Sequence, residues 1–149
     1  MKKQPDECRA WLESYGELKL EAMRMTRRRR QLLDQATQIT SRISPVPGGG
    51  SGDKEKLLAA LADAEGEAYR KETEALERYA EIEQFIDAIP TPESRTILRL
   101  RYLDRLRWAD VRRAMTKSNL YYEERQIYRL HGQALREARA EWNRRKEHG

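Results

Sequence analysis

Polar side chains suited to reading a nucleic acid are concentrated between positions 123 and 136. Apolar residues recur there and just beyond at helical spacing, and they predict a buried face formed by Ile127, Leu130, Ala134, Leu135, Ala138 and Trp142. The positions left facing outward are Arg125, Gln126, Tyr128, Arg129, His131, Gln133 and Arg136. Arginine and glutamine can make paired hydrogen bonds with base edges, and tyrosine and histidine can reach phosphates. The pattern predicts a helix in the major groove of double-stranded DNA, with Arg107 and Lys117 as further basic contacts.

Surface charge is the alternative interpretation of the same arginines. Arg125 and Arg129 stand four residues apart, and each could pair with Glu123 or Glu124 on the surface of one helix. A single histidine such as His131 is more often structural or exposed than a ligand. The sequence leaves both interpretations open.

The residue sets needed for catalysis or metal binding do not occur in this sequence. There is no nucleophile–base set, no phosphate-binding loop and no Cys/His cluster at zinc spacing, and Cys8 is the only cysteine. We therefore expect that the protein is not an enzyme and that it has no catalytic residue, no cofactor and no metal site. The N-terminus lacks the apolar core of a signal peptide, and no apolar run approaches the ~20 residues of a membrane span. These features predict a cytoplasmic protein without a membrane partner.

Three helices are predicted between residue 91 and the C-terminus, and they form the domain that contains the polar cluster. The segment 91–93 has the threonine, proline and glutamate of a helix start, and residues 104–106 interrupt the helix that follows. A short helix over residues 107–115 has one apolar face, formed by Trp108, Val111, Ala114 and Met115. The turn over residues 116–122 is longer than in a tight helix-turn-helix. We expect a helix-turn-helix domain over residues 91–149.

Two long helices are predicted before this domain. In the first, a seam from Trp11 to Ile43 alternates steps of four and three residues, as in a coiled coil. A second seam runs from Leu57 to Ile89, and a Pro- and Gly-rich linker at 44–52 separates the two helices. We therefore expect a long antiparallel, coiled-coil-like hairpin over residues 1–90.

The register of this hairpin makes two further predictions. It places Arg29 beside Glu72, so we expect a partly buried ion pair between them. The same seams could also pair between chains, because a coiled-coil pattern does not say whether the partner helix belongs to the same molecule. A homo-oligomer through the N-terminal helices is therefore an open alternative.

Composition and charge agree with an all-α fold that binds a polyanion at one end. The sequence has few valines and no run of alternating β-branched residues. The net charge is +5, and it divides into +4 over residues 1–44, −6 over residues 53–90 and +7 over residues 91–149. A basic C-terminal unit behind an acidic helix favours binding of nucleic acid by residues 91–149.

The C-terminal segment resembles region 4 of bacterial sigma-70-type factors. The matching residues are Leu100-Arg101-Tyr102, Trp108-Ala109-Asp110-Val111, Ile127-Tyr128-Arg129-Leu130-His131 and Ala134-Leu135. The whole chain also resembles the sigma-like late-transcription regulators of phages, of the RinA and ArpU kind. In these proteins a helical N-terminal part precedes the same type of domain, after a connection matched here by Ser44-Pro45 and Gly48-Gly49-Gly50.

The resemblance implies a sequence-specific activator of phage or prophage late genes that acts in the bacterial host cell. Its partners would be double-stranded DNA and, as a further candidate, the host RNA polymerase. Two other functions stay open. One is the small terminase subunit of a phage, which also joins a helix-turn-helix to long helices, and the other is a coiled-coil adaptor that does not bind DNA.

Overall fold

The computed structural model describes residues 6–41, 51–116 and 121–149, and within these ranges every element is helical. The helices are α1 (Glu7–Ser41), α2 (Ser51–Asp87), α3 (Pro92–Leu98), α4 (Trp108–Thr116) and α5 (Glu124–His148). A π-helical turn, Arg99–Leu103, continues α3. The predicted all-α fold is thus confirmed for the described residues. Residues 44–50 of the predicted linker at 44–52 lie outside the described ranges. Residues 117–120 of the predicted turn also lie outside them.

The chain forms two compact units. One unit, here the head unit, consists of Met1–Gly16 and Glu77–Gly149, and the other, the arm unit, is Glu17–Leu76. The head unit therefore includes the start of α1 and the end of α2 in addition to the predicted domain over residues 91–149. The reason is packing, because one continuous core joins α1 residues such as Leu12 and α2 residues such as Ile82 to residues of α3, α4 and α5.

Large side chains fill the core of the head unit. Phe85, Leu12, Ile86, Ile97 and Ile127 are each at most 2% exposed. An aromatic group stands beside them and connects α1, α2 and α5: the ring centroids of Trp11 lie 5.1 Å from Phe85 and 5.3 Å from Trp142. Burial of this much apolar surface from five elements fixes the position of α5 relative to the rest of the head unit.

The start of α3 is tied to the middle of α5 by a polar cluster. The Oγ1 of Thr91 donates to Glu137 Oε1 at 2.5 Å, and the buried hydroxyl of Ser94 donates to Oε2 of the same carboxylate. Pro92 occupies the first turn of α3, where its missing N–H costs no hydrogen bond. These contacts orient α3 along α5.

Helix α3 ends where the sequence predicts a break. The π-helical turn closes with the Asp104 N–H bonded to the Arg99 carbonyl at 2.9 Å, and the Leu106 N–H reaches the Leu100 carbonyl at 3.0 Å. Arg105 then takes a left-handed conformation with φ of 59° in the segment that leads into α4.

The arm unit consists of parts of α1 and α2 that pack through a narrow seam. Its buried side chains are alanines, namely Ala22, Ala64, Ala68 and Ala75. The predicted ion pair between Arg29 and Glu72 is wrong, because the Glu72 carboxylate binds Thr26 instead and neither residue is partly buried as expected. Glu72 lies beside the seam and accepts a 2.8 Å hydrogen bond from Thr26, while Lys71 takes the more buried position between Ala68 and Ala75.

Candidate nucleic-acid interface

A capping box begins α5 and positions its first turn. Glu123 is the N-cap, and its backbone N–H donates to Gln126 Oε1 at 2.9 Å while its side chain accepts from the Gln126 backbone. The predicted base-reading residue Gln126 is thus exposed, but its side-chain carbonyl already caps the helix. In this conformation Gln126 contributes to the position of α5 rather than offering its carbonyl to a base.

Four of the predicted site residues form one exposed stripe along α5. Arg125, Tyr128, Arg129 and Arg136 all face solvent, at steps of three or four residues and then of seven. Gly132 stands on the same stripe between Arg129 and Arg136. We call these four side chains the arginine stripe.

The arginines of the stripe have no acidic partner among the described residues. No carboxylate from residues 6–41, 51–116 or 121–149 lies within ion-pair distance of Arg125, Arg129 or Arg136. Glu124, the expected partner under the surface-charge interpretation, is instead 3.5 Å from the hydroxyl of Tyr128. Three guanidinium groups are therefore left available to an external anion.

The basic residues further along α5 are already paired. Arg144 and Arg145 both bind Glu141, at 2.5 Å and 2.8 Å, and Arg139 lies 3.9 Å from Asp6. Lys146 pairs with Glu7. Hydrogen bonds from the two arginines lower the pKa of the Glu141 carboxyl to about 2. The cations at this end of α5 are therefore engaged within the head unit itself.

The predicted outward position of His131 is wrong. The side chain is 7% exposed, and its Nε2 shares a 2.8 Å hydrogen bond with the hydroxyl of Tyr102. Its ring also meets the edge of Trp108, with centroids 4.6 Å apart. The spacing Ile127, His131, Ala134 was a signal for this burial, because steps of four and three residues return to the same helix face.

Gln133 is also drawn away from the stripe. It is half-buried, and its side chain helps to lower the pKa of the Glu137 carboxyl, the group that ties α5 to α3. It therefore belongs to the polar cluster between these helices.

Helix α4 contributes basic residues at the edge of the stripe. Trp108 packs edge-on against Tyr128, with centroids 5.4 Å apart, and this contact brings the start of α4 to the exposed face of α5. The predicted residue Arg107 precedes Trp108 and is 89% exposed at its side chain. It lies 3.4 Å from Asp110, which also pairs with Arg113. The other predicted residue, Lys117, lies outside the described residues.

One positioning residue was missed in the sequence. Arg112 donates from Nε to the Tyr122 carbonyl and from Nη2 to the Tyr121 hydroxyl, both at 2.9 Å. It thereby ties the last turns of α4 to the residues just before α5. Nothing in the spacing of Arg112 distinguishes it from the neighbouring basic residues.

One family model matches most of the chain. A family model described as a protein of unknown function, DUF1492, matches residues 21–137. The chain belongs to this family. The DUF1492 match includes the arginine stripe and ends before the paired cations at 139–146. No curated protein and no solved structure matches the chain.

The described residues contain neither a membrane-spanning helix nor a cluster of metal-binding side chains. None of the helices in that part of the chain is both long and apolar enough to cross a membrane. No group of three or more His, Cys, Asp or Glu side chains in the same part is arranged to hold a metal ion.

Proposed function

We propose that the protein is a sequence-specific DNA-binding regulator of transcription, and that α5 is its recognition helix. The observation that carries the proposal is the arginine stripe, three exposed guanidinium groups without a carboxylate partner in the described residues. Arginines elsewhere on α5 are paired, so the free ones are confined to the face and to the half of the helix nearest α4.

The dimensions of the stripe suit a DNA groove. At ~1.5 Å per residue, Arg125 and Arg136 are separated by about 16 Å along the helix axis. The major groove is about 12 Å wide, so the side chains at the two ends can reach phosphates on either side of it. Arg129 and Tyr128 would then lie over the base edges. A helix-turn-helix formed by α4 and α5 would have this geometry.

The glycine at position 132 also favours DNA binding at the face of α5 that carries the arginine stripe. A Cβ at this position would meet only the Arg136 guanidinium, at an ordinary contact distance of 3.6 Å, so the fold itself does not require glycine there. Glycine in an exposed helix costs about 1 kcal/mol relative to alanine. A DNA backbone passing close to the helix would give a reason for its presence.

The transcriptional role rests on the resemblance of residues 97–135 to sigma region 4. We propose a phage or prophage late-gene activator in which the head unit binds promoter DNA and contacts the host RNA polymerase. The coiled-coil-like hairpin of α1 and α2 then serves as the stalk of a helix-turn-helix domain.

The first test selects a binding site from a pool of random duplexes with the full-length protein. The enriched duplex is then titrated with the Arg125→Ala and Arg129→Ala variants at several salt concentrations. Each variant should weaken binding roughly tenfold or more, and the loss of a phosphate contact should lower the salt slope by about 1. Arg144→Ala removes the same charge from a paired site and should bind as the wild type does. A pool without enriched sequences, or an equal loss in Arg144→Ala, would overturn the proposal.

Glycine variants test the approach of the DNA independently of charge. Gly132→Ala should stabilise the protein by about 1 kcal/mol and still weaken DNA binding. Gly66→Ala, in the arm unit, has nothing within 4 Å of the added methyl group and should leave DNA binding unchanged. Equal DNA affinity for both variants would exclude close approach at Gly132.

Promoter activity separates regulation from other uses of DNA binding. The enriched site is placed upstream of a reporter promoter, and transcription is measured with wild-type protein and with Arg129→Ala. We expect activation by the wild type alone. Binding of DNA without any change in transcription would contradict the regulatory role and favour the alternative of a small terminase subunit.

A further inference from the structure

The two sides of the arm unit differ in chemical character. On one side, α1 presents Met23, Thr26, Arg30 and Leu33, and α2 presents Leu58, Ala62, Glu65, Tyr69, Glu72 and Leu76. Within each helix these residues follow steps of three and four, so they form one stripe. The hydrogen bond from Thr26 to Glu72 joins the two stripes and places them on the same side. We call this side the apolar face.

Five large hydrophobic side chains of the apolar face are exposed to solvent. Tyr69 and Leu76 are each 71% exposed, and Met23, Leu33 and Leu58 are between 48% and 49% exposed. Single exposed hydrophobic residues are common on soluble proteins. Five of them at coiled-coil spacing along a two-helix unit form a contiguous surface, which is the usual mark of an interface.

The opposite side of the arm unit is charged. Lys71 pairs with Glu21 and with Glu74, both at 3.4 Å. The groove beside these pairs is lined mainly by small, polar and charged residues, including Arg24, Arg28, Asp63 and Glu67, together with Met25. The arm unit thus has one charged side and one side with exposed apolar side chains.

The seam between the two helices completely buries only small side chains among the described residues. Its fully buried side chains are alanines, which remove little apolar surface from water. A second layer of helices against the apolar face would complete a four-helix core of ordinary size.

We propose that the apolar face packs against the same face of a second copy of this chain. Charge identifies the second copy as the occupant, because α1 contributes the cation Arg30 to the face while α2 contributes the anions Glu65 and Glu72. The contacts at Glu21–Lys71 and Thr26–Glu72 place Arg30 and Glu65 at the same level to within about one helical turn. A two-fold axis parallel to the helices then brings Arg30 of each copy to Glu65 of the other.

The alternative two-fold arrangement would place α1 against α1 and α2 against α2. It would bring the arginines together and the glutamates together, and like charges oppose such packing. The crossed arrangement, with α1 of one copy against α2 of the other, also sets Met23 opposite the segment between Tyr69 and Leu76. It is therefore favoured by both charge and shape.

Molar mass in solution tests the proposal directly. Full-length protein is examined by sedimentation equilibrium over a range of concentrations, together with a Tyr69→Ser, Leu76→Gln double variant. The wild type should dimerise, and the double variant should raise the dissociation constant roughly tenfold or more. Both side chains are exposed in the single chain, so helical content should not change. Ile39→Gln, which alters an exposed hydrophobic residue of α1 outside the face, should dimerise as the wild type does.

Charge variants test the crossed arrangement. Arg30→Glu and Glu65→Arg should each weaken self-association, and a mixture of the two should form a heterodimer in which every facing pair has opposite charge. A wild type that stays monomeric at 100 µM (on the order of a hundred times a micromolar dissociation constant) would overturn the proposal and assign the face to another protein. An unchanged dimer in the double variant, or in Arg30→Glu, would also overturn it.

Discussion

At the scale of single residues, His131 is held neutral inside the head unit. Burial lowers the pKa of its imidazole to about 4, and the positive charges of Arg9 and Arg101 act in the same direction. Burial raises the pKa of its partner Tyr102 to about 12. The 2.8 Å hydrogen bond between them therefore joins two neutral groups at physiological pH. Protonation of His131 would leave a charge in the core beside two guanidinium groups.

The stability of the head unit should consequently fall between pH 6.5 and pH 4. In this window the unfolded chain binds a proton at His131 that the folded chain does not, so the free energy of unfolding decreases as pH decreases. Between pH 7 and pH 5 the loss should approach about 2 kcal/mol. Glu141, whose carboxyl pKa is lowered to about 2, loses its contribution only below its ordinary value of 4.5.

Denaturant unfolding at pH 7 and pH 5 measures this dependence. His131→Gln keeps a polar group at the position but removes the titration, so it should be destabilised at pH 7 and lose less between the two pH values. The exposed His148 provides the control, and His148→Gln should retain the wild-type slope. Equal slopes for wild type and His131→Gln would contradict the role assigned to His131.

At the scale of elements, the sequence predicted the helices well and their polar contacts poorly. Pro92 and the break at 104–106 gave the limits of α3 because proline and helix-ending residues act locally. The apolar spacing predicted the buried face of α5, including Ile127 and Ala134. Contacts such as Thr91 with Glu137 join residues far apart in the chain, so no local pattern encodes them. The sequence therefore predicted the residues of the arginine stripe, but it wrongly placed Gln133 among them.

Glu137 should be the main polar determinant of the packing of α3 on α5. Burial acts to raise the pKa of its carboxyl, but the hydrogen bonds from Ser94, Thr91 and Gln133 outweigh burial and lower the pKa. Glu137→Ala would leave the buried Ser94 hydroxyl without its acceptor, and we expect a loss of about 1–3 kcal/mol in the free energy of unfolding. Glu147→Ala, an exposed change on the same helix, should stay within about 0.5 kcal/mol of the wild type.

Thermal and denaturant unfolding of both variants decide this point. A small loss in Glu137→Ala, comparable to that in Glu147→Ala, would show that α3 and α5 are held by apolar contacts alone. The sign of the pH dependence offers a second check. The contribution of Glu137 should be complete above pH 4.5 and should be lost as the pH falls below that value.

At the scale of the whole molecule, the two compact units differ in what they bury. The head unit encloses Phe85, Leu12 and several isoleucines, whereas the arm unit encloses alanines. The sequence did not predict this division, because apolar residues recur at coiled-coil spacing on both helices, with a single break near Glu72. The signal lies in the identity of the seam residues, which are aromatic residues and isoleucines in the head unit but alanines interspersed with larger residues in the arm unit.

Local stability should follow this difference, and the arm unit should open more often than the head unit. We expect backbone amides at 22–36 and 57–72 to exchange with deuterium roughly a hundredfold faster than those at 127–138, when the protein is dilute. The reactivity of Cys8 provides an independent measure of local opening in the head unit. Its thiol is 2% exposed and burial raises its pKa to about 12, so it should resist alkylation while the arm amides exchange.

Protein concentration connects this prediction to self-association. If the apolar face binds a second copy, raising the concentration should slow exchange at 22–36 and 57–72 but not at 127–138, because only the arm unit gains a partner. The Tyr69→Ser, Leu76→Gln variant should keep fast exchange in the arm unit at every concentration. Uniform protection of both units in dilute wild type would show that the alanine seam is stable without a second layer, and the physical argument for that layer would then fail.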